Sequence, residues 1–482
     1  MREMEKKVET ILKGLALMAI LFLPFNDFPY FSGLFHEMSV ELSFYPLLIA
    51  LPLFIFLSLF KKSLVFPKNI SFFLFSAFIL WVLLSTGINL PEFYALTFKG
   101  RYGLEKAVFQ TMIFFFGFSV SILYYNLIFN YKILSKEDVF KSIAFSAVLI
   151  LFYSFFEIFA VLKYWINPIY EFVGNYLHRY PEYPQRLRLF AGEASWLGIM
   201  LTFMYPFIYS TAFFEKKIFK INPFLFNFIF LFIVVLSYSR AVYITFAASI
   251  IGTSCLALYL GEGEIKKRAV KALVFFVFCL LLINSFAPSF EFSAGGKMKN
   301  PVFQVFRSPV AGGDDKIYGE SNNDRTATQK TGLNMGLDNM FFGVGLGAYG
   351  FYFAKYLPPE FAGGSVIKKY LDPADKLWPH ENGLYARIFA ETGIPGLIIW
   401  FFFVISGLLL FLRVLKKKKF SFYSDEYFFA FSIFIAFCSV NIIGIVSGTL
   451  RHFQYWIVYG IFWGLLDFYQ KEYSQTVKKN GI

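Results

Sequence analysis

The feature that most constrains this chain is the recurrence of apolar runs about as long as a bilayer is thick. "FYPLLIALPLFIFLSLF" at 44–60 and "SFFLFSAFILWVLLSTGI" at 71–88 are two of them. A helix rises about 1.5 Å per residue, so roughly 20 apolar residues cross the hydrocarbon layer. Candidate spans fall at 9–25, 42–60, 70–90, 108–129, 141–163, 195–214, 223–239, 241–260, 270–289, 393–413, 427–447 and 452–468. With 57% hydrophobic and 16% charged residues, the chain lacks the charged surface of a soluble protein. The expected fold is an all-α polytopic membrane protein with about twelve transmembrane helices.

Basic residues mark every second connection. They are Arg2/Lys6/Lys7, Lys61/Lys62/Lys68, Lys132/Lys136/Lys141, Lys216/Lys217/Lys220, Lys266/Lys267/Arg268/Lys271, Arg413 with Lys416–Lys419, and Lys471/Lys478/Lys479. That alternation predicts both termini in the cytoplasm and the other loops outside. One outer loop, with Lys99, Arg101 and Lys106, breaks the contrast. The net charge of +13 thus reads as topology control, and nucleic acid is not an expected partner. No cleavage site follows the first apolar run, which reads as a span and not a signal peptide. Cys255, Cys279 and Cys438 lie inside apolar runs and read as small core residues, not as a disulfide frame or metal site.

Two outer loops stand out, 165–192 and the polar stretch 290–392. A long polar insert in a compact bundle is usually functional. The chain therefore divides into helices 1–9 (1–289), a partly helical outer loop element between helices 9 and 10 (290–392), and helices 10–12 with a cytoplasmic tail (393–482). Transporters place ionisable groups near the bilayer midplane, often in inverted repeats. Here no repeat is evident and only Glu157 lies deep within a run, which disfavours transport.

The remaining polar residues gather on the predicted outer side. Arg186, Arg188 and Glu193 precede the sixth span, and Arg240 sits between the seventh and eighth. Arg325 lies in the long loop, Arg451 in the last outer turn, and His380, Asn382, Arg387 and Glu391 precede the tenth span. Arginine binds diphosphate through bidentate, charge-assisted hydrogen bonds. As a helix, 380–391 would set His380, Arg387 and Glu391 on one face, with His380 at its N-terminus, where the dipole disfavours the imidazolium. A neutral imidazole beside an outer cleft suits a general base. Gly393 would end that helix and Pro395 would open the next. The run "GVGLGAYG" at 343–350 lacks the preceding strand of a dinucleotide site and reads as a turn bringing backbone close to a ligand or the membrane.

"PHENGLYARIFAETGIPGLIIW", "RTATQKTGLNMGLDNMFFGVGLGAYG", "SYSRAVYITFAASI" and "RLRLFAGEASWLG" together resemble the O-antigen ligase and polymerase superfamily. Glu381, between His380 and Asn382, departs from the family's pattern of an amide or hydroxyl directly after the histidine. The resemblance implies a GT-C-like bacterial inner-membrane glycosyltransferase with a periplasmic active site. It implies an undecaprenyl diphosphate-linked glycan as donor, inversion, and neither cofactor nor metal. By the same resemblance, Arg240, Arg325 and Arg186 or Arg188 hold the donor and His380 deprotonates the acceptor. Glu193 orients the acceptor or serves as an alternative base. The acceptor is a growing glycan in a polymerase or lipid A core in a ligase, and the acidic "GEASWLG" favours a polymerase. A chain-length regulator is a further candidate partner.

Overall fold

The computed structural model describes residues 2–31, 35–161, 167–179, 187–214, 216–237, 239–261, 263–286, 316–417 and 425–479. The first ten helices are α1 (Arg2–Leu21), α2 (Phe44–Lys61), α3 (Ile70–Ile88), α4 (Gly103–Tyr125), α5 (Lys136–Val161), a short α6 (Pro168–Leu177), α7 (Ala194–Phe214), α8 (Pro223–Leu236), α9 (Arg240–Leu260) and α10 (Glu264–Phe286). The large loop contributes α11 (Lys316–Asp338), α12 (Tyr349–Tyr356) and α13 (Ser365–Leu371), before α14 (Leu384–Lys417), α15 (Asp425–Ile443) and α16 (Phe453–Lys479). Every expected span coincides with a helix. Among the described residues, eight helices are long and apolar enough to cross a membrane, and α8 is a shorter apolar helix. The only strands among those residues are β1 (Thr97–Phe98) and β2 (Arg101–Tyr102), paired antiparallel as one hairpin.

Lipid gives helices no hydrophobic reason to associate, so close packing and satisfied polar groups must hold them. Gly117 of α4 and Gly460 of α16 show how. A Cβ on Gly117 would sit inside the Trp456 ring, and one on Gly460 would collide with the Ser121 carbonyl. The Ser121 hydroxyl donates to the Trp456 carbonyl at 2.7 Å across the same contact. Around it Phe75, Trp400, Phe403, Tyr459 and Trp463 interlock, with Phe75 and Phe403 edge-to-face at 4.9 Å. The aromatic content therefore serves internal packing as well as the lipid-facing surface, where Phe56, Phe73 and Phe152 lie exposed. Helix α7 is enclosed on nearly every side, and its Thr202, Ser210 and Thr211 hydroxyls bond back to carbonyls of their own helix. Of the cysteines, Cys279 is buried, Cys438 half-buried and Cys255 exposed, so the core reading fails for Cys255. Glu157, for which the sequence names no partner, accepts the backbone N–H groups of Arg188 and Leu189 at 3.1 and 2.8 Å.

The domain boundary expected at 392/393 falls at a kink inside α14. Gly393 has φ 70°, ψ −171°, and a Cβ there would lie 2.4 Å from the Phe341 carbonyl oxygen. The kink diverts the Ile394 N–H to the Met340 carbonyl at 2.7 Å, and Pro395 has no N–H. The carbonyls of Ala390 and Glu391 thereby lose their helical donors. Val344 and Gly345 replace them, at 2.9 and 3.0 Å. The glycine run is thus a clasp on the kink, and the chain that it approaches is Glu391–Thr392, not a ligand or the membrane surface. Trp81 and Ser85 of α3 tie the same turn to the bundle.

Candidate active site at the loop end of the bundle

A cavity of about 420 Å3 opens at the end of the bundle where the odd-numbered connections of the predicted topology, its outer loops, meet. Its wall includes Glu193, Arg325, His380, Asn382, Arg387, Glu391 and Arg451. These residues come from four separate stretches of sequence, and the fold brings them to one place.

His380 is not on a helix. Helix α14 starts at Leu384, and 376–381 is irregular chain. The expected helical face and dipole effect are therefore absent. The His380 side chain is exposed to the cavity, and the protein packed around it desolvates the ring enough to outweigh the Trp378 carbonyl and Glu193 and hold its pKa below the usual histidine value. Its Nδ1 lies 3.0 Å from the Tyr370 hydroxyl and 3.3 Å from the Trp378 carbonyl. In the tautomer that donates Nδ1–H to the Trp378 carbonyl, Nε2 carries the lone pair, with the Tyr370 hydroxyl 3.5 Å away. Asn382, two residues on, donates to Thr328 Oγ1 at 3.1 Å and fixes the segment to α11.

Arg387 and Glu391 brace the wall. Arg387 donates to Glu391 at 3.0 Å through Nε, to the Gly448 carbonyl at 3.0 Å and to Gln110 at 3.0 Å. Its planar fork is therefore occupied by the protein. Glu391 is buried and its other carboxyl oxygen accepts the Gly347 N–H at 3.0 Å. Arg451 is differently placed. Its guanidinium stacks on Trp196, 4.8 Å from the ring centre, and its Nε has no hydrogen-bond partner among the described residues. Stacking fixes the plane of the fork and leaves its edge for an anion. Glu193 is exposed into the cavity and accepts from Ser195 at 3.2 Å.

Arg188 does not line the cavity. It is buried behind the wall, 4.0 Å from Asp27, which also accepts from Arg179 at 2.7 Å and lies 3.2 Å from His178. Arg179 is the member of this group that reaches the cavity. Arg240 opens α9 behind its cap Ser239, and the next residue, Ala241, lines the cavity. The Arg240 side chain, like Arg186, lies outside the described residues.

Sequence reasoning missed Glu37, Arg101, Lys106 and Lys376, which complete the polar wall. Lys106 pairs with Glu37 at 2.5 Å. Burial pushes the Glu37 carboxyl up, but Lys106 and Arg451 outweigh it and hold the pKa at about 2. Arg101 stacks on Trp378 at 4.7 Å from the hairpin that Lys99 pins to the carbonyls of Lys369 and Leu377. The one outer loop that broke the alternation of basic loops was the available signal.

Glu381 points the other way in charge. It is buried, no side chain among the described residues pairs with its carboxyl, and burial outweighs the nearby Gly383 and Asn382 N–H groups and pushes its pKa up to about 8. A neutral acid thus stands directly beside His380 at neutral pH.

Residues 225–401 match the family model described as O-antigen ligase. The matched stretch holds Arg240, Arg325, His380, Asn382, Arg387 and Glu391, whereas Glu193, Arg186, Arg188 and Arg451 lie outside it. None of the curated proteins compared matches the chain.

Proposed function

From the match of residues 225–401 to the O-antigen ligase family model, we propose that this chain belongs to the O-antigen ligase and polymerase superfamily and that its cavity moves a glycan from undecaprenyl diphosphate to a sugar hydroxyl. The coarser activity, a membrane glycosyltransferase of the O-antigen ligase or polymerase type, follows from that membership. The observation that carries the finer reading is the composition of one cavity wall. Arg325, Arg451, Arg101 and Lys106 supply cations, and His380 supplies an oriented imidazole with a depressed pKa.

In this reading His380 Nε2 takes the proton of the acceptor hydroxyl as its oxygen attacks the anomeric carbon. The bond from that carbon to the diphosphate oxygen breaks, with inversion. Undecaprenyl diphosphate leaves as an anion, stabilised by arginines already in place. A diphosphate needs no proton to depart, so one base suffices and no metal is required by the charge balance. Glu193 would hold the acceptor. The active site would face the periplasm, with both termini in the cytoplasm, as the basic connections at the opposite end of the bundle support.

Polymerisation is the preferred reading, from the acidic residue at Glu193. The ligase reading is favoured by the description of the matched family. Purified protein in liposomes with the lipid-linked repeat unit separates them. A ladder of glycan lengths without lipid A core means a polymerase. Transfer only when lipid A core is supplied means a ligase. Flipping of the lipid without any new glycosidic bond contradicts both.

A further inference from the structure

A second histidine belongs to this wall. His452 sits at the turn between α15 and α16 and is 0% exposed, yet its ring lines the cavity. Its Nδ1 lies 2.5 Å from Glu41 Oε1, and Glu41 is 1% exposed. Among the described residues the Nε2 atom has no hydrogen-bond partner, and neither does Glu41 Oε2. Arg451 Nε lies 3.9 Å from Glu41, and Trp196 meets the His452 ring edge-on with centroids 6.3 Å apart.

Buried polar nitrogens are almost always paired, because an orphan forfeits its hydration with nothing in return. A bundle that buries a carboxylate to orient an imidazole, and leaves the far nitrogen unpaired at the wall of a cavity, has a hydrogen bond to give. The carboxylate takes the Nδ1–H and so presents Nε2 as an acceptor, the arrangement by which carboxylates orient histidines toward hydroxyl groups.

We propose that Glu41 and His452 form a recognition dyad in which His452 Nε2 accepts a hydrogen bond from a hydroxyl of the bound glycan. Glu41 acts through the histidine, as a positioning residue. Nε2 is buried, so the wall around it opens slightly when the sugar enters, while Trp196 keeps its stack on Arg451. The dyad rests on the transferase reading but is separate from His380. His380 handles the proton that is lost, and His452 holds a hydroxyl that is kept.

Two amide variants test this, because each imitates a different ring nitrogen. His452→Asn places its amide near Nδ1, preserving the contact with Glu41 and losing the one with the glycan. His452→Gln reaches the Nε2 position and preserves the glycan contact. With the lipid-linked repeat unit titrated into proteoliposomes, KM rises about tenfold for the Asn variant, one hydrogen bond's worth. It stays within about threefold of wild type for the Gln variant, and kcat changes little in either. A purely structural histidine gives the reverse order, because the Asn variant keeps the buried carboxylate paired. Equal KM values, a reversed order, or loss of folded protein in both variants overturns the proposal. Absence of turnover by wild-type protein in the same vesicles would count against the transferase reading instead.

Discussion

Glu391 and Gly347 are joined by a hydrogen bond of 3.0 Å from the Gly347 N–H to the Glu391 carboxylate. With the Gly345 bond to the Glu391 carbonyl, it makes the end of α14 and the glycine run one rigid body. Arg387 extends that body to Gly448 and Gln110. The wall that carries His380 is thus held by residues whose charges are spent within the protein.

Glu391→Ala leaves the partly buried Arg387 charge without its carboxylate, held only by Gly448 and Gln110. Removing one partner of such a pair costs about 3–5 kcal/mol. The expected outcome is a clearly lower melting temperature in detergent together with lost transfer. Glu391→Gln, which still accepts from Gly347, should fall between the two.

Gly393→Ala collides with the Phe341 carbonyl oxygen at a positive φ with extended ψ, a region that essentially only glycine adopts. The conformation and the overlap each cost about 1–3 kcal/mol. Poor yield of folded protein is expected, whereas Gly363→Ala, with open space around it, should express normally.

Glu381 makes stability depend on pH. Its folded pKa of about 8 lies above the ordinary carboxyl value of 4.5, so the folded state holds its proton more tightly than the unfolded chain. No penalty exists below 4.5. It grows as pH rises from 4.5 toward 8 and is constant beyond. Glu381→Gln should therefore melt like wild type at pH 4.5 and higher than wild type at pH 8. Parallel melting curves at both pH values would contradict the burial assigned to this carboxyl.

His380 acts as a base only when neutral, so kcat/KM should rise with pH and then level off. Its pKa is depressed, which places that rise below the ordinary histidine value of about 6.5. A pH profile of glycan transfer reads this directly. An inflection above 7 would exclude His380 as the titrating base.

Arg325→Ala and Arg451→Ala should each lower kcat by about a hundredfold, as loss of one oriented cation at a developing charge does. Substitution by Lys should restore only part of it, since Lys cannot present a planar fork. Unchanged kcat in both would remove the diphosphate role from this wall.

The spans were legible because lipid demands long apolar runs, and all twelve became helices. Arg325, His380, Glu391 and Arg451 were legible as a group because each lies in a connection on the same predicted side. Three-dimensional pairing was not. Nothing in the sequence tells that Arg387 spends its whole fork on Glu391, Gly448 and Gln110, or that Arg188 turns toward Asp27 behind the wall. The glycine run was read as an approach to a ligand because its partner, the kink at Gly393, is distant in sequence. Glu41 and His452 are 411 residues apart, and only the meeting of the turn before α2 with the turn before α16 makes them a pair.

The most direct test of the central claim is release of undecaprenyl diphosphate in a single turnover by wild-type protein and by His380→Ala, both reconstituted with the lipid-linked repeat unit. The account predicts release coupled to a new glycosidic bond in wild type and neither in the variant, with matching melting temperatures. Equal release from both proteins would contradict it.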